Sequence, residues 1–157
     1  MELNIEKLKS FEFEGEYQQV KEFLNKISPK LEKLKITAMS KTSSDKFLGM
    51  LKKLKNLVTL KVKNSDISSL FSFDSQNVFG SIKVLSLSSL RYSYSSVFVA
   101  TNFPNLRKIS LKYVFAQDLD SLPDLESIKA PYHKELSPNR FPHLTSFSFN
   151  KSNDLNE

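Results

Sequence analysis

The side chains best placed to do chemistry in this 157-residue chain are lysines that alternate with aliphatic residues. Lys33 and Lys35 flank Leu34, and Lys61 and Lys63 stand two residues apart in the same way. Residues two apart in an extended strand point to the same side of a sheet, so these lysines would share one face. An ammonium group is a hydrated point charge that donates three hydrogen bonds. The chemistry that this pattern offers is therefore electrostatic recognition of anionic groups.

Residues for catalysis or metal binding do not form a pattern in this sequence. The absence of cysteine excludes a disulfide framework and a thiolate metal site. Gly15, Gly49 and Gly80 are the only glycines, too few and too scattered for a glycine-rich phosphate loop. His133 and His143 belong to no metal-ligand motif, and no nucleophile elbow or spaced catalytic triad is present. We therefore predict a chain that is not an enzyme and that holds no cofactor and no metal.

Composition and charge are those of a soluble globular protein with a basic surplus. The chain is 39% hydrophobic and 25% charged, and its formal net charge is +6. The amino terminus lacks an apolar signal-peptide core, and no stretch approaches the ~20 apolar residues of a membrane span. We therefore expect a cytoplasmic or nuclear protein with no membrane partner. The surplus lysines would either keep a sheet-rich protein soluble or form a basic face for an acidic partner or nucleic acid.

The elements that must position the lysines are seven copies of one apolar pattern. Each copy has an aliphatic residue, an apolar residue three positions later and another two positions after that. The alternation within each copy is typical of a half-buried strand, and recurrence in one direction predicts parallel strands in register. Units of this kind bury their apolar faces by stacking on one another. The copies start near Ile5, Leu31, Leu57, Ile82, Leu106, Leu125 and Leu144.

The connectors between the copies change along the chain. Residues 16–27 and 45–54 carry apolar side chains at helical spacing, which predicts helices. Residues 72–79 and 118–122 are typical of single turns, and residues 95–102, with Val97-Phe98-Val99, have an ambiguous pattern. A proline in phase with the repeats costs no hydrogen bond just before a strand and fixes the direction of the chain there. These prolines are Pro29, Pro104, Pro123 and Pro142.

The repeats resemble leucine-rich repeats, whose units have about 20–29 residues. The segment from Phe103 to Leu111, Phe-Pro-Asn-Leu-Arg-Lys-Ile-Ser-Leu, is especially similar to the irregular repeats of intracellular proteins of the F-box and leucine-rich-repeat type. The resemblance implies an α/β solenoid over residues 1–150, followed by a polar tail at 151–157. Such a solenoid has a curved parallel sheet, here of about seven strands, with helices or irregular turns on its convex side.

The sequence departs from the family pattern at the ninth position of the repeats, where asparagine is usual. The residues there are Met39, Ser65, Leu90, Val114, His133 and Ser152. This departure favours an irregular intracellular type over the regular extracellular one. No F-box-like helical segment is recognised before the repeats, so binding to a ubiquitin-ligase adaptor is not implied.

The resemblance also implies which residues face a partner, because the positions between the apolar residues line the concave face in this family. Lysine fills seven of the 21 outward positions, whereas acidic residues fill two, both on the first strand. Tyrosine and arginine in the loops after the strands add a rim, and both are common interface anchors. The predicted partner-binding residues are Lys33, Lys35, Lys61, Lys63, Lys108, Lys112 and Lys129 on the strands, with Arg91, Tyr92, Tyr113 and Tyr132 in the loops.

Three functions fit this pattern. The first is a non-enzymatic protein-interaction module, a substrate-recognition or scaffold subunit that binds an acidic or extended partner on the concave face. The second is a binder of nucleic acid or another polyanion through the same lysines. Only three arginines are present, and lysine lacks bidentate base recognition, which disfavours that function. The third is a fragment or self-associating array with a structural role, because solenoids usually need caps on their end strands.

Overall fold

Parallel strands dominate the fold. A computed structural model describes residues 5–40, 46–47, 49–66, 78–89, 97–117, 119–131 and 137–150. The strands are β1 (Ser10–Glu14), β2 (Lys33–Thr37), β3 (Thr59–Ser65), β4 (Val84–Ser89), β5 (Val97–Val99), β6 (Lys108–Lys112), β7 (Phe115–Gln117), β8 (Ser127–Ala130) and β9 (Ser146–Phe149). Seven of them form one parallel sheet in the order β1-β2-β3-β4-β6-β8-β9. The prediction of about seven parallel strands is confirmed.

The apolar pattern forms the core on one side of this sheet. From β2 to β8, the two inward residues of each strand in the sheet are at most 2% exposed, as with Leu60 and Val62 on β3. The first aliphatic residue of each copy from Leu31 to Leu125 is buried to the same degree. Burying a leucine-sized side chain contributes about 1.5–3 kcal/mol, so this face provides the main stabilisation of the sheet. On β9 the inward side chains are less covered, and Phe149 is 39% exposed.

A repeated hydrogen bond fixes the register between successive copies. In each case one backbone carbonyl accepts the N–H groups of two consecutive residues in the next copy, at 2.8–3.1 Å. The carbonyl of Glu32, for example, accepts from Val58 and Thr59. The accepting carbonyls belong to Lys9, Glu32, Val58, Lys83, Arg107 and Glu126. This register aligns Leu8 with Leu31. The seven parallel strands are consistent with a repeat solenoid, and within the described residues the sheet is open rather than closed into a barrel.

The early connectors are helical, as their spacing predicts. Helix α1 (Tyr17–Ile27) buries Tyr17, Leu24 and Ile27, and the described residues from 46 to 51 are helical and bury Phe47. The rings of Tyr17 and Phe47 meet edge to face with centroids 5.9 Å apart, which joins the two connectors.

The later connectors are shorter. Single 3₁₀ turns occupy Ala100–Asn102, Leu119–Ser121 and Pro138–Arg140, so the turn predicted at 118–122 is confirmed. Most of the predicted turn at 72–79 lies outside the described residues. Strands β5 and β7 pair with each other in a second, two-stranded parallel sheet. The stretch 95–102, whose pattern is ambiguous, contains the short strand β5 followed by a 3₁₀ turn.

A left-handed residue recurs at the same repeat position, at or just after the end of a strand. Gly15 lies seven residues after Leu8, and Ala38, Asn64 and Tyr113 lie seven residues after the first aliphatic residue of their copies; their φ values are 107°, 60°, 49° and 58°. Glycine adopts this conformation without strain, whereas alanine and tyrosine hold it against a steric penalty. Asn64 is the second-last residue of β3, whereas the other three follow their strands, and the next residue is buried in three of the four copies, as Met39, Ser65 and Val114.

The side chain of Ser65 joins two successive copies by hydrogen bonds. Its hydroxyl accepts the N–H of Met39 in the preceding copy at 2.9 Å and donates to the carbonyl of Lys63 at 2.9 Å. A register shift between Val62 and Ser65 brings this fully buried side chain inward. A buried N–H without a partner is costly, so Ser65 stabilises the junction between two copies.

We predict that Ser65→Ala lowers the free energy of unfolding by about 1–3 kcal/mol, because it strands the Met39 N–H in the core. Ser88→Ala is the matched control, since Ser88 lies on the opposite, half-exposed face of the sheet. The control should change stability by no more than about 0.5 kcal/mol. Urea unfolding followed by circular dichroism measures both, and equal losses would contradict the role given to Ser65.

Candidate functional site

The exposed side of the seven-stranded sheet is the candidate site, and we call it the lysine face. It is formed by the outward residues of seven strands, which stand between the buried aliphatic ones. All seven strand lysines predicted from the sequence lie on it, six of them exposed and Lys35 half-buried. The lysine face consists of Ser10, Glu12, Glu14, Lys33, Lys35, Thr37, Thr59, Lys61, Lys63, Val84, Ser86, Ser88, Lys108, Ser110, Lys112, Ser127, Lys129, Ser146 and Ser148.

Strand register arranges these side chains in rows across the sheet. The first row holds Ser10, Lys33, Thr59, Val84, Lys108, Ser127 and Ser146. The second row holds Glu12, Lys35, Lys61, Ser86, Ser110, Lys129 and Ser148. A third, interrupted row holds Glu14, Thr37 and Lys63 on one side of the register shift, and Ser88 with Lys112 on the other. Neighbours within a row are about 4.8 Å apart, the spacing of hydrogen-bonded strands.

Charge on the lysine face is unevenly compensated. The ammonium group of Lys35 pairs with the carboxylate of Glu12 on the adjacent strand. Among the described residues, this is the one ion pair that the seven lysines make. Negative charge is therefore confined to β1, and uncompensated positive charge extends from β2 to β8, with four of its lysines on β3 and β6.

Small side chains on β4 create a trough between two sets of lysines. Val84, Ser86 and Ser88 project from β4 and are half-buried. The flanking strands lie one strand spacing away on either side, so the two walls are about 10 Å apart at the backbone. We call this feature the serine trough; its floor is Val84, Ser86 and Ser88, and its walls are Lys61 and Lys63 on β3 and Lys108 and Lys112 on β6.

Of the four rim residues predicted from the sequence, one is described. Tyr113 follows the last residue of β6 in the left-handed conformation, with φ of 58°. The ammonium group of Lys112 lies 5.2 Å from the centroid of its ring, within the range of a cation–π contact. Tyr113 thus borders the lysine face where β6 ends. Arg91, Tyr92 and Tyr132 lie outside the described residues and stay predictions.

An open cavity of about 740 Å³ lies before the first three strands of the sheet, and the sequence did not predict it. Lys9 and Glu32 form an ion pair across it at 2.8 Å, which offsets part of its positive charge. The sequence signal that could have found this cavity is a lysine directly before a leucine that precedes a strand. Lys7 stands before Leu8 in this way, and Lys30 before Leu31. The lining residues of the cavity are Lys7, Lys9, Lys30, Glu32, Asn56 and Val58.

Within the described residues, no three His, Asp or Glu side chains cluster as metal ligands, and no helix has the length and apolarity needed to cross a membrane. Burial, aided by the charge of Glu22, raises the pKa of Tyr17, the first residue of α1, whose side chain lies in the core. On the lysine face, exposed ammonium groups that pair with no described carboxylate are suited to attracting anions.

Comparison with known proteins gave no match. No protein-family model, no curated protein and no solved structure matches this chain. The functional interpretation rests on the geometry and charge of the described residues.

We predict that Glu12→Gln strengthens binding of the chain to an anionic matrix by releasing Lys35, with little effect on stability. An exposed ion pair contributes about 0–1 kcal/mol, so the free energy of unfolding should change by less than that. Glu22→Gln is the matched control, because Glu22 is exposed on α1 and its loss changes the net charge equally. The salt concentration that elutes each variant from a phosphate-bearing column is the measurement. Equal increases for both variants would show that net charge, and not the lysine face, governs retention.

Proposed function

We propose that this chain is an irregular leucine-rich repeat protein that acts as a non-enzymatic interaction module. In this proposal it binds an acidic, extended segment of a partner protein through the lysine face, as a substrate-recognition or scaffold subunit. The observation that carries the proposal is that seven lysines gather on one face and that, among the described residues, Lys35 is the one that makes an ion pair. The other six are all exposed: Lys33, Lys61, Lys63, Lys108, Lys112 and Lys129.

Three repeated features support the assignment to leucine-rich repeats. The apolar pattern recurs seven times, and each copy contributes one strand to a parallel sheet. The two-donor hydrogen bond joins each copy to the next one. Ser65 supplies the side-chain hydrogen bond to the preceding copy that asparagine supplies in regular members of this family. These contacts recur between each copy and the next, which is typical of a repeat solenoid. They favour a solenoid over an α/β fold whose strands are not related by a sequence repeat.

Electrostatics supports an acidic partner. Like charges in neighbouring strands repel each other, and salt screens such exposed charges only partly at distances below the Debye length of about 8 Å. An acidic segment placed on the lysine face would relieve this repulsion and gain charge-assisted hydrogen bonds. Complementary charge also speeds the encounter of two proteins. The lysine face therefore favours a partner that is rich in aspartate, glutamate or phosphorylated residues.

The composition of the lysine face favours protein over nucleic acid. Nucleic-acid surfaces usually combine charge with aromatic side chains on which bases stack, or with arginine that reads base edges. None of the described residues of the lysine face is aromatic or arginine. Tyr113, beside Lys112, is outside the strand and contacts that lysine. Lysine alone supplies attraction to phosphates without recognition of bases.

We predict that changing Lys61, Lys63, Lys108 and Lys112 to glutamate abolishes capture of the native partner from a cell extract. The matched control changes four exposed lysines on or near the helical connectors, Lys21, Lys26, Lys52 and Lys53, and so keeps the same net charge. Proteins retained by the unmodified chain and by the control, but lost from the face variant, are identified by mass spectrometry. They should contain acidic segments. Retention of the same proteins by the face variant would overturn the proposal.

We also predict that the chain fails to retain a random-sequence oligonucleotide at about 100 mM salt, because few non-specific phosphate contacts survive there. Fluorescence anisotropy across a salt series measures this directly. Retention at that salt, lost in the face variant but kept in the control variant, would show a nucleic-acid binder instead.

A further inference from the structure

We infer that the partner segment is a single extended chain lying in the serine trough, along β4. Its recognised pattern is two acidic residues four positions apart, with a third acidic residue next to one of them. This inference rests on the proposed function and makes it specific. It follows from the width of the trough, the chemistry of its floor and the positions of its lysines.

The width of the trough selects an extended chain. Its walls stand about 10 Å apart, because β3 and β6 are each one strand spacing from β4. A helix with its side chains is about 10–12 Å across, so it would rest on the tips of the lysines. A single extended chain whose side chains point at the two walls spans about 10 Å and turns its backbone N–H and C=O groups to the floor, whereas a helix satisfies these groups internally.

The floor offers hydrogen bonds that do not depend on the ligand's sequence. Ser86 and Ser88 are half-buried on β4, and Ser110 lies beside Ser86 on β6. Each hydroxyl donates one hydrogen bond and accepts others. Within the described part of the chain, these three side chains have no hydrogen-bond partner, so they are available to the backbone of a bound segment. The floor therefore holds an extended backbone, and the walls select its side chains.

The β6 wall sets a spacing of four residues. Lys108 and Lys112 both point outward and are four residues apart on one strand, which separates them by about 13 Å. An extended ligand has the same rise per residue, and its alternate side chains point to the same side. Acidic residues at ligand positions 1 and 5 therefore face these two lysines together. Positions closer together leave one of the lysines without a partner.

The β3 wall places the third acidic residue. Lys61 is paired with Ser86, which in turn is paired with Ser110, so Lys61 stands two residues further along the trough than Lys108. Lys63 follows Lys61 after two more residues. Because odd ligand positions face β6, a ligand side chain that faces β3 must occupy an even position. Position 4 is about 10 Å along the trough from position 1 and lies between Lys61 and Lys63. The pattern is thus acidic at positions 1, 4 and 5 for a ligand parallel to β4. For an antiparallel ligand the same contacts read as positions 1, 2 and 5.

The first test compares three labelled peptides that share one composition and place three glutamates within a serine background. The acidic positions are 1, 4 and 5 in the first, 1, 2 and 5 in the second, and 1, 7 and 13 in the third, where only one acidic residue at a time can reach the wall lysines. We expect one of the first two to bind about three- to tenfold more tightly than the third, the gain from one or two additional exposed ion pairs. Fluorescence anisotropy at low salt measures the affinities, and the tighter of the two reports the direction of the ligand.

The second test fills the trough without changing charge. Ser86→Tyr places a large side chain on its floor, and we expect binding of the preferred peptide to weaken at least about tenfold. Thr101→Tyr is the matched control, because Thr101 is exposed in the 3₁₀ turn Ala100–Asn102 and lies outside the lysine face. It should bind as the unmodified chain does. Circular dichroism tests whether both variants fold. If either variant does not fold, the peptide comparison on the unmodified chain still tests the inference.

The outcomes separate this inference from the proposed function. Equal affinities for the three peptides, or equal binding by folded Ser86→Tyr and Thr101→Tyr, would overturn the extended chain in the trough. If binding in that case is still lost when the four wall lysines are changed to glutamate, the proposed function of the lysine face is supported without the serine trough. Absence of any binding that depends on these lysines would overturn both.

Discussion

The rest of the structure depends on the register between successive strands. One carbonyl in each copy, such as that of Glu32, holds two consecutive N–H groups of the next copy, and this contact recurs from Lys9 to Glu126. A slip of one residue would turn the aliphatic side chains to solvent and the lysines into the core. The same hydrogen bonds that bury Leu34 and Leu60 therefore also assemble the lysine face.

The left-handed residue at or just after the end of the strand links this register to the end of the candidate site. At Gly15 the conformation costs little, but Ala38 and Tyr113 adopt it at a cost of about 1 kcal/mol each. The burial of Met39 and Val114 immediately afterwards offsets that cost, because each of these residues is at most 1% exposed. Tyr113 stands at the edge of the lysine face because the fold requires a turn there.

The periodicity of apolar residues predicted the features that arise from short stretches of sequence, namely the strands and the side of the sheet on which each side chain lies. Alternation predicted the strands, and the outward lysines such as Lys61 followed from it. The register shift before Ser65, the pairing of β5 with β7 and the cavity beside Lys30 involve residues about 20 or more positions apart. The side chain of Asn105 donates to the carbonyl of Gly80 in the preceding copy at 2.7 Å, another contact of this kind. No pattern within one copy specifies such contacts, because their geometry arises only when two copies stack.

The lysines on the exposed side of the sheet contribute little to the stability of the fold. Stability comes from the buried aliphatic side chains, whereas the lysines are available for binding. Lys35 and Lys61 lie side by side in the second row, where like charges in direct register destabilise a sheet. Glu12 offsets the charge of Lys35, but no described carboxylate pairs with Lys61. A sheet that needed only solubility would be served equally well by interspersed charges of both signs. The fold tolerates the repulsion because the buried face stabilises it, and any anionic segment that binds the lysine face would stabilise the folded chain further by linkage.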